Sequence, residues 1–81
     1  MNVEEIIKQV NNIFIEVLDN ADIAIKYETT SDDIEEWDSL NHIQLVVAIE
    51  KYFNVRFTAA EIVNFANVGD MCEAIKNKKA A

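Results

Sequence analysis

Residues 37–53 read Trp37-Asp38-Ser39-Leu40-Asn41-His42-Ile43-Gln44-Leu45-Val46-Val47-Ala48-Ile49-Glu50-Lys51-Tyr52-Phe53. Apolar side chains recur at 40, 43, 46, 47, 49 and 53, close to the spacing of one helical face. Asp38 and Ser39 are both suited to open a helix. A short side-chain oxygen can accept from one of the first N–H groups, which have no partner inside the helix. The approach is acidic, through Asp32, Asp33, Glu35, Glu36 and Asp38. The stretch predicts a helix over 39–53 with a serine hydroxyl at its mouth, within reach of another protein.

Working toward the N-terminus, residues 19–38 carry no helical period and form a loop. A loop of that length in so small a domain is usually functional or anchored. Ile23, Ile25, Tyr27 and Ile34 are spaced to pin it to the rest of the chain. A short helical turn is expected near Ser31–Glu35, favoured by Asp32 and Asp33. Before the loop, Val3, Ile6, Ile7, Val10, Ile13, Phe14, Val17 and Leu18 step at three and four, which predicts an amphipathic helix over 3–18. Asn2 can cap it, and Glu4 and Glu5 suit its first turn.

Toward the C-terminus, Val55 and Phe57 punctuate a link. Thr58-Ala59-Ala60-Glu61 has the form of a capping box, in which Thr58 and Glu61 satisfy each other's N–H groups. A short helix over 59–64 is expected, turning Ile62, Val63 and Phe65 inward. Asn67 then caps a last helix over 68–77 with an inner stripe of Val68, Met71, Cys72 and Ile75. Lys76, Lys78 and Lys79 suit its C-terminal end, and 78–81 are expected to fray. Four helices, the third short and the first connection long, make an all-α four-helix bundle in a single domain, 1–81.

Composition agrees. The 81 residues include one glycine, no proline and one cysteine. Tight-turned sheets and an internal disulfide are therefore excluded as the basis of the fold. The core must come from the 51% of residues that are apolar. Fifteen acids against seven bases give a net charge of −8. Nucleic acid and anionic membrane surfaces are poor partners for such a chain, and basic protein surfaces are good ones. No apolar run is long enough to span a membrane, and the first residues lack the basic start of a signal peptide. The expected location is the cytoplasm, and the expected state a monomer.

Asp38-Ser39-Leu40 at the start of an apolar helix resembles the attachment site of the acyl and peptidyl carrier proteins. The resemblance extends over nearly the whole chain. It takes in the long loop before the serine, the helix end Ile49-Glu50-Lys51-Tyr52-Phe53, the Phe57-Thr58-Ala59-Ala60-Glu61-Ile62 stretch and Asn67-Val68, in family order and spacing. It implies an acyl-carrier-type bundle with a 4′-phosphopantetheine arm esterified to Ser39, whose thiol holds an acyl or aminoacyl group as a thioester. A phosphodiester there would lie at the positive end of the helix dipole. The implied partners are a phosphopantetheinyl transferase and an acyl or aminoacyl ligase, ketosynthase or acyltransferase of fatty acid, polyketide or other specialised biosynthesis.

Other residues take roles from the same resemblance. Asp38 would be read by the transferase, and Leu40 would help docking. Trp37 and Glu36 depart from the fatty acid synthase carriers, which have glycine and a small residue there; the segment looks more like stand-alone carriers reading Trp-Asp-Ser-Leu, with Trp37 bulky enough to shield the loop–helix corner and both residues expected to take part in partner recognition. His42 is a solvated helix residue or a contact to the arm's phosphate or a partner. Ile43, Val47, Ile49, Phe53, Phe57, Ile62 and Phe65 are expected in the core. Of these Ile43, Val47, Phe53, Ile62 and Phe65 could open to shelter a cargo, although Phe57 and Phe65 could equally fill that space. The second helix carries Asn41, His42, Gln44, Glu50 and Lys51 in place of an acidic outer face, which moves docking toward the loop end and Leu40.

Other chemistries fit poorly. A Ser39–His42 hydrolase lacks the glycines of a nucleophile elbow, a second histidine and room for an oxyanion site. One Cys and one His make no metal site, and the acidic loop lacks the central glycine of a calcium loop. The protein is thus not expected to be an enzyme. The alternative is an unmodified helical protein–protein interaction module, in which Asp38 and Ser39 merely cap a helix.

Overall fold

The computed structural model describes residues 2–80. Its α-helices are α1 (Val3–Leu18), α2 (Ser39–Phe53), α3 (Ala59–Asn64) and α4 (Val68–Ala80), with one 3₁₀ turn at Ser31–Asp33. The architecture is an all-helical bundle with a short third helix and a long connection between the first two.

α1 starts where Asn2 Oδ1 accepts the Glu5 N–H at 2.9 Å. It stops where Asp19 turns left-handed, at φ 53° and ψ 48°, a conformation that Asp and Asn tolerate best among side-chain-bearing residues. Ile6, Val10, Ile13, Phe14 and Leu18 are buried along one face. Val3, Ile7 and Val17 sit half-buried at the edges of that stripe. α1 packs against both α2 and α4. Opposite it lie Leu45, Ile49 and Phe53 from α2, and Val68, Met71, Cys72 and Ile75 from α4. Each large aliphatic or aromatic side chain taken fully from water contributes about 1.5–3 kcal/mol, before the entropy of ordering is set against it.

α2 buries a face that overlaps the expected one only in part: Ile49 and Phe53 are inside as expected, Leu45 joins them, and Ile43 and Val47 do not. Leu45, Val46, Ile49 and Phe53 point inward, whereas Ile43 is 51% and Val47 42% exposed. The helix is apolar on two sides, so spacing alone leaves its rotation open; packing against α1 selects the 45/46/49/53 side.

α3 buries no residue completely. Its capping box forms as expected, with Thr58 N–H donating to Glu61 Oε1 at 2.8 Å and Glu61 N–H to Thr58 Oγ1 at 3.2 Å. Ile62 and Phe65 are half-buried, but Val63, expected inward, is 79% exposed. Ile62 and Val63 point about 100° apart around the helix, so a helix packed on one side only turns one of them outward.

Helix α4, capped by Asn67 Oδ1 on the Asp70 N–H at 2.8 Å, runs on through Ala80. Against the fraying expected over 78–81, the helix continues to Ala80, and Lys78 and Lys79 each meet a partner. Lys79 Nζ donates to the Phe53 carbonyl at the end of α2 at 3.0 Å. Lys78 Nζ meets Glu61 Oε1 at 3.1 Å. Residue 81 lies outside the described residues.

The 19–38 loop is anchored throughout. Ile23 and Ile25 are buried, and the Ile25 N–H donates to Asn11 Oδ1 at 2.8 Å. The first N–H groups of α4 bond back to the loop, Val68 to the Thr29 carbonyl at 2.9 Å and Gly69 to the Tyr27 carbonyl at 2.7 Å. Ile34 is half-buried. Tyr27 pins the loop through its backbone while its side chain stays 45% exposed. The short turn expected near Ser31–Glu35 is the 3₁₀ turn at Ser31–Asp33, where the Thr30 N–H donates to Asp33 Oδ2 at 2.9 Å.

Candidate functional site

The corner between the loop and α2 is assembled from short-range hydrogen bonds. Asp38 is the cap of α2, its Oδ1 accepting the Asn41 N–H at 2.8 Å. Its carbonyl accepts the His42 N–H, also at 2.8 Å. The Asn41 side chain donates to the Glu36 carbonyl at 2.8 Å, and the Trp37 N–H to the Ile34 carbonyl at 3.1 Å. Ser39 is therefore the first helical residue, and it is exposed. The N–H groups of Ser39 and Leu40 have no acceptor among the described residues, as expected of a helix's first positions. Leu40 is 69% exposed.

Behind the serine the loop is held by a buried ring. Trp37 is 5% exposed and packs edge-on to Phe14 of α1, with ring centroids 5.0 Å apart. Its indole N–H donates to His42 Nδ1 at 2.9 Å. The two rings are tilted by only 21° with centroids 5.9 Å apart. They meet edge to edge along the hydrogen bond, without stacking face on face. The other ring nitrogen, Nε2, lies 3.0 Å from the Ile62 carbonyl of α3. Beyond His42 follow Phe65, centroids 6.4 Å away, and Phe57, 5.2 Å from Phe65.

Trp37 shields this corner, as its bulk suggests, and two expectations of contact with other molecules change. Trp37 is interior support for the corner, with almost no surface to offer a partner. His42 is half-buried with both nitrogens committed inside the chain. It has none free for a phosphate, nor could it take a proton from Ser39. Glu36 is also partly withdrawn, its Oε2 accepting from the Asn20 amide at 3.0 Å. Nothing local to Trp37 or His42 signals their chain to Ile62, because that contact spans twenty residues.

A cleft of about 530 Å³ opens beside Ser39. Asp38 and Ser39 line it from the start of α2, Ile62 and Val63 from α3, together with Trp37 and His42. Ile43 and Phe65 also line it, as do Ser31 and Ala66, which the sequence did not single out. Of the five residues expected around a cargo, Ile43, Ile62 and Phe65 are thus brought together. Val47 lies exposed farther along α2, and Phe53 is in the core. Among the described residues no group of three or more His, Cys, Asp or Glu is placed to hold a metal ion. Among these residues, too, no helix is long and apolar enough to cross a membrane.

The exposed hydroxyl, the unpaired N–H groups beside it and the adjoining cleft suit a covalently held phosphodiester with an elongated substituent. The comparison with known proteins agrees. The family described as the phosphopantetheine attachment site matches residues 8–75. The solution NMR structure of holo acyl carrier protein from Geobacter metallireducens superimposes with a TM-score of 0.85 at 34% identity, over 91% of this chain and 85% of that one. No curated protein sequence matches significantly. The chain belongs to the phosphopantetheine-binding carrier proteins. Proteins of this family carry and do not themselves catalyse, and their cofactor is covalently attached 4′-phosphopantetheine.

Proposed function

We propose that Ser39 is the attachment residue and that the protein presents an acyl or aminoacyl group to enzymes of fatty acid, polyketide or other specialised biosynthesis. The observation that carries this is the position of Ser39: first residue of α2, exposed, at the rim of the cleft. Attached there, the cofactor supplies a terminal thiol that holds the cargo as a thioester. The chain's own residues bind and position. Asp38 fixes the start of α2 by capping Asn41, so the hydroxyl projects from a rigid turn. The free N–H groups of Ser39 and Leu40 offer partial positive charge to an anion on that oxygen.

Recognition follows from charge and exposure. The acids of the loop, Asp32, Asp33, Glu35 and Asp38, are exposed on one side of the serine. Leu40 is exposed just past it. A phosphopantetheinyl transferase or a biosynthetic enzyme with a basic rim and an apolar contact fits that surface.

The test is loading. The protein is incubated with coenzyme A and a broad-specificity phosphopantetheinyl transferase and weighed intact. A gain of one phosphopantetheinyl group, absent in Ser39→Ala, supports the assignment. No gain under conditions that load a control carrier would leave an unmodified interaction module as the function.

A further inference from the structure

The helix that lines the cleft with Ile62 and Val63 is weakly held. α3 is six residues long and buries none of them completely. Its own apolar contacts come from half-buried Ile62 and from Phe65 just beyond it. What else holds it is polar: the Glu61–Lys78 pair at 3.1 Å, partly exposed on both sides, and the contact of His42 Nε2 with the Ile62 carbonyl at 3.0 Å. Exposed ion pairs fix little. The histidine contact is half-buried and reaches directly from the helix that bears Ser39.

The chemistry of its two partners fixes the state of that ring. An indole N–H can only donate, so His42 Nδ1 must present a lone pair to Trp37. A backbone carbonyl can only accept, so Nε2 must carry the hydrogen. Both contacts exist together in one form alone, the neutral Nε2–H tautomer. In the imidazolium both nitrogens are donors. Nδ1–H would then face the Trp37 N–H, and a buried indole would lose its acceptor.

We propose that His42 is a positioning residue. In its Nε2–H tautomer it clasps α3 to the Trp37 loop and so sets the opening of the cleft beside Ser39, and protonation of the ring releases the clasp. The functional weight of the clasp rests on Ser39 being the attachment residue; the clasp itself does not.

Four carboxylates flank the ring's contacts, Glu36 and Asp38 beside Trp37, Glu61 beside Ile62 and Asp70 at the start of α4; the same elements also carry Asp32, Asp33 and Glu35 on the loop, Glu50 and Lys51 on α2, and Lys78 on α4. Each of the four has another partner: Glu36 takes the Asn20 amide, and Asp38 the Asn41 N–H. Glu61 takes the Thr58 N–H and Lys78, and Asp70 the Ala66 N–H. None of them hydrogen-bonds the ring. The chain has a single histidine, so an imidazole transition seen anywhere in the protein belongs to His42.

NMR of the full-length protein before loading tests this without reference to Ser39. The ring nitrogen shifts should report Nε2–H at neutral pH. As the pH is lowered, the Trp37 indole N–H and the Ile62 and Val63 amides should move with the same midpoint as the ring carbons of His42. His42→Phe should lower amide-exchange protection across 59–64 by about tenfold. His42→Gln, whose amide oxygen and nitrogen lie about as far apart as the two ring nitrogens, should keep that protection and abolish the pH response. A ring found as Nδ1–H, an indole signal that ignores the ring's titration, or full protection in His42→Phe would each overturn the clasp. Should His42→Phe fail to fold, the wild-type titration and His42→Gln still decide. Loading of Ser39, followed separately by intact mass, stands or falls on its own.

Discussion

The Tyr27 ring occupies the space that a side chain at residue 69 would need. A Cβ placed on Gly69 would fall 2.5 Å from Tyr27 Cε1, while the Gly69 N–H donates to the Tyr27 carbonyl at 2.7 Å. The only glycine in the chain is thus required for room, since its φ is not positive. The contact joins the middle of the long loop to the first turn of α4, and the Tyr27 hydroxyl extends it to Glu73 Oε2 at 3.4 Å.

Gly69→Ala should therefore destabilise the protein by about 1–2 kcal/mol, because the ring must swing into solvent. With Tyr27→Ala already present, the same change should be neutral or stabilising by up to about 1 kcal/mol, since alanine is the better helix former. Urea unfolding of the four proteins of that cycle gives the answer; equal costs in both backgrounds would show that the ring is not the obstacle.

Asp38 combines a cap with a charge, and two substitutions separate them. Asp38→Ala should cost about 1 kcal/mol of stability through the lost bond to the Asn41 N–H. Asp38→Asn keeps a capping oxygen and should melt close to wild type. If the charge is what a transferase recognises, the asparagine variant should still load about tenfold more slowly. Thermal melts and loading rates measured side by side check both parts.

Cys72 is fully buried in α4. Burial, with a lesser contribution from the charge of Glu73, pushes its thiol up from 9.0 to about 12. The folded protein should therefore resist a thiol reagent at mildly alkaline pH until it is unfolded, and after loading at Ser39 it should show one fast-reacting thiol. The same shift acts on stability. The thiol's contribution is complete below about 9 and is lost as the pH rises toward about 12, because the unfolded chain releases the proton first. Cys72→Ala should flatten the fall of the urea midpoint in that window.

Glu61 is held below the ordinary carboxylate value, first by the Thr58 N–H and then by Lys78. A lowered value means that its contribution is present above the ordinary range and is lost as the pH falls through the depressed one. Carboxyl-carbon NMR should find the Glu61 midpoint moving upward in Lys78→Ala. An unmoved midpoint would show that the ion pair at 3.1 Å does not persist in solution.

Periodicity and capping chemistry made much of this fold legible. The stripe of α1, the box at Thr58 and Glu61, the inner face of α4 and the serine at the start of α2 are local patterns, and the structure shows each where its residues suggest. What could not be read depends on partners far away in the chain. α2 has apolar residues on opposite sides, so Ile43 and Val47 fit a buried face as well as Leu45 and Val46 do; only α1 decides between them. The roles of Trp37 and His42 depend on a carbonyl in α3. A lysine near a helix end reads as solvated, and nothing local reveals that Lys79 reaches the end of α2.

Trp37 is the only tryptophan in the chain, buried between a phenylalanine edge and the imidazole. Its fluorescence is consequently a built-in optical gauge of the turn that delivers Ser39. Emission wavelength and quenching can be followed in real time, without a dye, as enzymes engage the protein or its load changes.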